Sequence, residues 1–291
     1  MVRGIIFDDA PYWNITASLI ILSLMKTMLL SMAVLLFLLT GPMLVVAMGT
    51  VTLGGHWSTA SRQSSHQAPD PTTTSEAIVQ VYAARAFSWR GAFGIHPWFA
   101  VKPAGAASYT VYEKIGWRAM RGLSAISIAE RTPDSYWFGQ KPTILAQLRG
   151  QDAEEAIAKL DAAAKAYPYD HTYRIWPGPN SNTFAAFVAR AVPELKLDLP
   201  PTAMGKDYLA PRSLFAAAPS GTGWQFSLFG LFGVLVAVEE GIEVNVLGLT
   251  VGVDPLDFAI KLPGLGRLGP GPGPEVDAEL IERGRESNSE N

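Results

Sequence analysis

Between Thr27 and Gly55 no charged side chain interrupts the chain, and the centre of that run, MLLSMAVLLFLLTGPMLVVAMG (residues 28–49), is apolar on every side of a helix rather than along one stripe. About 20 apolar residues cross a bilayer as a helix, so the pattern predicts one transmembrane span at about residues 27–48 within an N-terminal segment 1–55. Gly41-Pro42 predicts a kink, which spans tolerate. A cleavable signal peptide is the rival reading, with Lys26 as its charged start and Ala47-Met48-Gly49 as a small-x-small site. The apolar run is long for a signal, which favours a retained anchor. An earlier apolar patch, ITASLIILSLM, ends at Met25-Lys26, where a second start and charged leader would begin, so Met25 is read as the physiological start.

The rhythm then disappears. Residues 56–77 are rich in Ser, Thr, Pro and Gln without apolar periodicity and read as a flexible tether. A globular domain is predicted over 78–262. AIVQVYAARAF alternates as a strand does, and HPWFAVKP and SYTVYEKIGW follow across AGAA, which predicts a β-meander; RGLSAISIAERTPD adds a short strand and a turn. DAEEAIAKLDAAAKAY (152–167) has helical spacing, with Asp152 as the expected cap and Tyr167-Pro168 as its end. HTYRIW reads as a short strand leading into WPGPNSNTF, after which Phe184, Phe187, Val188 and Ala191 form the stripe of a second helix stopped before Pro193. WQFSLFGLFGVLVAV and IEVNVLGLTVGV flank Glu239-Glu240-Gly241; each is short for a span and rich in Val and Gly, and the pair reads as a buried β-hairpin. Residues 263–291 are Pro/Gly-rich, then charged, and read as a disordered tail. The fold class is therefore α+β behind a transmembrane helix.

Composition narrows the chemistry. A formal charge of −3 supplies no basic field for nucleic acid. With no cysteine in 291 residues there is no disulfide, thiolate nucleophile or Cys-based metal site, and with four histidines a His-rich metal centre is improbable; neither a metal nor a cofactor is expected. The GxGxxG spacing in GLGRLG (264–269) lacks the strand before and the helix after that a phosphate-binding loop needs.

What remains is the corner WPGPNSNTF. Small polar residues at a helix start are first of all caps, because their oxygens accept from the unpaired N–H groups of the first turn. They are also where a nucleophile meets the positive end of a helix, and Ser181 is the candidate. A serine hydroxyl needs a base within reach, and His96 or His171 would have to supply it, His56 and His66 lying in the tether.

The blocks WRGAFGIHPWFAVKPAGAASYTVYEKIGW, PDSYWFGQKP, LRGQDAEEAI, YPYDHTYRIWPGPNSNTF and VPELKLDLPPTAMGKDYL resemble the bacterial domain-of-unknown-function family 3750 over about residues 78–260. That resemblance implies an envelope protein anchored in the membrane and brings no established activity. The order of elements also resembles, distantly, circularly permuted papain-like proteins of the NlpC and lecithin:retinol acyltransferase type, in which a His opens a β-meander and an Asn-Cys-Glu-His-Phe-like motif opens a later helix. The resemblance implies a papain-like antiparallel sheet with two packed helices, puts Ser181 where the Cys would be and His96 where the base would be, and offers Glu113 as the orienting third residue. Ser in place of Cys lowers nucleophilicity greatly.

Two functions follow. In one the domain binds or scaffolds, with Trp98, Tyr112, Trp137 and Trp176 lining a groove beside Asn180 and Asn182, and catalyses nothing. In the other it is an amidase, esterase or acyltransferase in which His96 deprotonates Ser181 and helix N–H groups hold the oxyanion. For either, the expected partners are the membrane, through one N-terminal helix, and envelope peptidoglycan or lipid. Arg3 and Lys26 precede the span and only Arg62 follows closely, so a single-pass protein of the bacterial inner membrane, N-terminus in and domain periplasmic or extracytoplasmic, is the expected arrangement.

Overall fold

In the computed structural model, residues 10–269 are described except 52, 55 and 210–212, with side chains from residue 17. The apolar run forms a single helix, α1 (Ala10–Ala47), with Pro42 inside it. Its stretch Ala17–Ala47 is long and apolar enough to cross a membrane. The helix therefore begins well before residue 27: the patch ITASLIILSLM continues the same helix, and Lys26 is one residue within it. The chain divides after Thr40 into two units, the second beginning at Gly41.

The second unit contains two antiparallel sheets. The first is built from β1 (Ile78–Arg85), β2 (Ile95–Lys102), β3 (Thr110–Lys114), β4 (Ile126–Glu130) and β5 (Thr143–Arg149), in the order β4-β3-β2-β1-β5. Strands β1 to β4 are the meander that the alternating residues foretell. Alternation then sorts the side chains between two faces. Val79, Val81, Phe99, Val101 and Tyr112 pack with the apolar stripes of α3 (Gly150–Lys165) and α4 (Ser181–Ala191). Ile78, Tyr82, Trp98, Ala100 and Val111 fill the opposite face, against Ala68 and Trp137. Between β3 and β4 lies a short helix, α2 (Gly116–Met120).

Residues 56–77 are not a free tether. Asp134 accepts from the Ser64 hydroxyl at 2.8 Å and from the Gln67 N–H at 2.6 Å, and its backbone carbonyl accepts from the Ser65 hydroxyl at 2.8 Å. Their polar composition satisfies that one buried carboxylate instead of meeting water. Two further expectations are corrected. Residues 171–176 form no strand, and the Arg174 N–H turns back to the Pro179 carbonyl. Helix α3 starts two residues early, at Gly150, with Asp152 in its first turn rather than at the cap.

The second sheet is a seven-stranded meander of β6 (Phe215–Ala217), β7 (Gly223–Leu228), β8 (Phe232–Ala237), β9 (Gly241–Val246), β10 (Leu249–Asp254), β11 (Ala259–Leu262) and β12 (Gly266–Leu268). The two stretches expected to pair as one buried hairpin each fold back on themselves, as β7–β8 and β9–β10, and one face of these four strands is exposed. Strand β12 also lies within the stretch expected to be a tail; residues 270–291 lie outside the described residues.

Candidate functional site

Helix α4 opens on a side-chain cap, and the cap is Asn180. Its Oδ1 accepts from the N–H groups of Asn182 at 2.9 Å and Thr183 at 3.1 Å, while the Thr183 hydroxyl accepts from the Asn180 N–H at 3.1 Å, completing a reciprocal capping box. The Asn180 amide also donates to the carbonyls of Ile175 (2.9 Å) and Met204 (2.8 Å), locking the preceding loop. Ser181 is thus the first helical residue, freed from capping. It is buried, and its hydroxyl and N–H are set against the phenol of Tyr173. Burial pushes that phenol above its ordinary pKa, while the contacts from Ser181 and the nearby Arg90 charge pull it down. The Tyr173 ring in turn lies so close to Gly116 that a Cβ there would stand 3.0 Å from it.

His96 sits near the start of β2, on the side of Trp98. Its Nε2 lies 3.0 Å from Glu113 Oε2, and Arg131 Nη2 holds the other Glu113 oxygen at 2.6 Å. Burial raises the Glu113 pKa, but His96 and Arg131 together outweigh it and hold the carboxyl below its ordinary value. Burial lowers the His96 pKa more than Glu113 raises it, so the imidazole is neutral near pH 7. A neutral ring facing a carboxylate carries its proton on Nε2 and its lone pair on Nδ1. The ring stacks on Trp137, centroids 3.7 Å apart and planes 11° apart, and Trp137 continues to Trp117 and Phe138 at 6.2 and 4.9 Å. Trp98 is fixed by donating its indole N–H to the Pro133 carbonyl at 2.6 Å.

The structure therefore brings His96, Glu113, Trp98 and Trp137 together. Ser181 lies on the helix side of the sheet, where Asn182 donates to the Ile95 carbonyl at 3.2 Å; among the described residues no hydrogen bond joins Ser181 to His96. Tyr112 faces α3, donating to Asp161 at 3.1 Å, and half-exposed Trp176 donates to the Leu247 carbonyl at 2.8 Å. These four aromatics do not line one groove. His171 is exposed and pairs with Asp170 at 3.3 Å. Among the described residues no three His, Cys, Asp or Glu side chains are grouped so as to hold a metal ion. Beside Arg131 an open cavity of about 580 Å³ is lined by Ser64, His66, Tyr109 and Asp134.

Sequence reasoning passed over Arg131, Tyr173 and Asp134. Arg131 and Asp134 sit in RTPD, which reads as an ordinary turn, and Tyr173 sits in the misread strand. Nothing local marks them, because each acquires its role only by tertiary approach.

These features describe an α+β domain with a buried His–Glu pair, held by the partly exposed Arg131, behind an aromatic stack. The family model described as "Protein of unknown function (DUF3750)" matches residues 76–208 and supports the resemblance to that family over this part of the chain. It covers both sites just described. No curated protein and no solved structure matches the chain.

Proposed function

We propose that the chain is a membrane-tethered, non-catalytic recognition module on a papain-like frame, anchored by α1 in the bacterial inner membrane with its domain on the outer side, and that it binds the glycan of the envelope peptidoglycan. One observation carries the reading: the two groups a serine hydrolase must join are each committed elsewhere, His96 to Glu113 and Trp137, Ser181 to Tyr173. What stands ready for a ligand is the aromatic stack, in which Trp117 is 42% exposed with its ring against Trp137. Flat indole faces suit the apolar face of a sugar ring, and Arg131, partly exposed, supplies a charge for a peptide-stem carboxylate. Calorimetric titration of the detergent-solubilised chain with soluble glycan strands should show binding that Trp117→Ala weakens at least tenfold. Heat changes identical for wild type and variant would remove the proposal. For the orientation, Thr73→Cys in this cysteine-free chain should react with a membrane-impermeant maleimide in spheroplasts; protection until lysis would reverse it.

The catalytic reading keeps one supporting observation, a carboxylate-oriented imidazole with its lone pair on Nδ1, in the same domain as a serine at a helix start. A fluorophosphonate probe discriminates: labelling abolished by Ser181→Ala and slowed by His96→Ala would favour a serine hydrolase or acyltransferase. An unlabelled wild type leaves the binding module.

A further inference from the structure

The second sheet is inverted. Its register aligns Gln225, Leu235, Glu243, Gly252, Lys261 and Arg267 across six strands, and Gln225, Glu243 and Lys261 in that row are fully or almost fully buried. One residue along, the same ladder aligns Trp224, Val236, Ile242, Val253, Ile260 and Leu268 on the outward face. Every member of this row is exposed, from 42% at Leu268 to 73% at Trp224. A sheet with one face in water alternates apolar-in and polar-out; this one reverses the rule across six of its seven strands. So extensive an apolar face marks a contact surface.

We infer that this outward face lies on a lipid surface, the bilayer in which α1 is anchored, as a second and separate membrane contact; the inference rests on the anchor reading. Two observations choose lipid over a protein partner. First, the apolar character runs on past the strands into the turns at both ends of the sheet, at Phe229 and Leu247 on one side and Leu256 and Phe258 on the other, all exposed. A protein interface is bounded by a polar rim, whereas here the most exposed positions of the turns are apolar and the charge between Leu256 and Phe258, Asp257, is drawn onto Arg267 at 2.6 Å. Second, the turn between β11 and β12 is seated on the end of the apolar helix. A Cβ at Gly41 would collide with the Pro263 carbonyl, one at Gly264 would meet Pro42, and Val45 and Val46 pack with Leu265. One edge of the sheet is thereby fixed against residues 41–46. The charges that lipid would reject are gathered on the other face, Lys261 and Glu243 within 2.9 Å of each other.

Spin labels on single cysteines in the full chain, reconstituted in phosphatidylethanolamine–phosphatidylglycerol vesicles, test this. Labels at Val236, Ile242 and Phe258 should be relaxed strongly by oxygen and weakly by a water-soluble nickel chelate, a label at Thr73 should show the reverse, and a label at Leu29 reports the anchor alone. Lipid-like accessibility at Leu29 with water-like accessibility at the three sheet positions would overturn the inference and leave the anchor standing. Low accessibility to both relaxants at those positions, or dipolar broadening between labels on two copies, would assign the face to protein and also overturn it. A water-like label at Leu29 would remove the anchor reading and this inference with it.

Discussion

Asn180 and Ser181 are adjacent, yet their substitutions separate capping from everything else the corner does. The Asn180 side chain makes four hydrogen bonds to backbone groups, two to N–H groups of α4 and two to carbonyls of neighbouring loops. Loss of an ordinary cap costs about 0.5–2 kcal/mol. Asn180→Ala also takes the donor from the Ile175 carbonyl and leaves the Met204 carbonyl to Asn182 alone, and should reach the top of that range in urea unfolding, whereas Ser181→Ala, which leaves the cap intact and frees only the Tyr173 phenol, should cost about 1 kcal/mol. Equal losses would return the capping role to Ser181. At His96 the prediction concerns pH. Its folded pKa lies below the ordinary value of 6.5, so the unfolded chain binds the proton more tightly and stability falls as pH drops from 6.5 toward the folded value. Glu113, also lowered, acts with the same sign below its ordinary 4.5. Asp198, raised by burial to about 6, acts oppositely, its contribution being lost as pH rises through 6. The His96 effect is therefore read as a difference: His96→Gln should unfold with a shallower loss of stability between pH 7 and 5 than wild type. Parallel curves would mean that His96 is not held neutral by burial.

At the scale of elements, the segment 56–77 shows how composition misleads. Its Ser, Thr and Gln side chains would suit a solvated linker, but Asp134 gathers them into a strap over the Trp98 face of the first sheet. Hydrogen bonds to a charged acceptor contribute about 1.5–3 kcal/mol. Asp134→Ala should release the strap, so that trypsin cuts after Arg62 at least tenfold faster while the remaining domain stays resistant; an unchanged cutting rate would show the strap to be held by something else. The same contrast sets what was legible. Helices α3 and α4 and the first four strands were readable because their apolar periods are local properties of a dozen residues. His96 and Glu113 were readable as partners only through the order of elements, and the structure joins them across neighbouring strands. Arg131 and Tyr173 were not readable, since their roles come from approach across the fold. The Trp224 to Val253 region was read correctly as strands and wrongly as buried, because alternation names two faces without saying which one meets the core.

At the scale of the folded unit beginning at Gly41, inversion of the second sheet requires its inner face to be held by charge where most sheets use apolar packing. Lys206, from the loop after α4, meets Glu243 of β9: its ammonium donates to Glu243 Oε2 at 2.5 Å and to the Leu199 carbonyl of its own loop at 2.6 Å. Lys261 of β11 donates to Glu243 Oε1 at 2.9 Å, to both oxygens of Asp198 at 2.7 Å, and to the Glu240 carbonyl at 2.9 Å. Burial alone would raise the Glu243 pKa, but the two lysines outweigh it and hold the carboxylate ionised. Such a cluster gains little over an apolar core of the same volume, yet breaking it is costly, because the partner left behind is a buried, uncompensated charge. Lys261→Met should therefore cost about 3–5 kcal/mol, a loss typical of a broken buried pair, visible as a large fall in the urea midpoint of the detergent-solubilised chain. Replacing the group together, Lys206→Met with Glu243→Leu and Lys261→Met, removes both lysines with the carboxylate they share and should recover part of that loss, Asp198 being able to reach water at its quarter-exposed edge and buried Asp207 keeping the nearby Arg190 charge. If the triple variant is no more stable than Lys261→Met, the side chains of the inner face act through packing and hydrogen bonds to the backbone carbonyls of Leu199 and Glu240, and charge is not what holds this sheet to the rest of the fold.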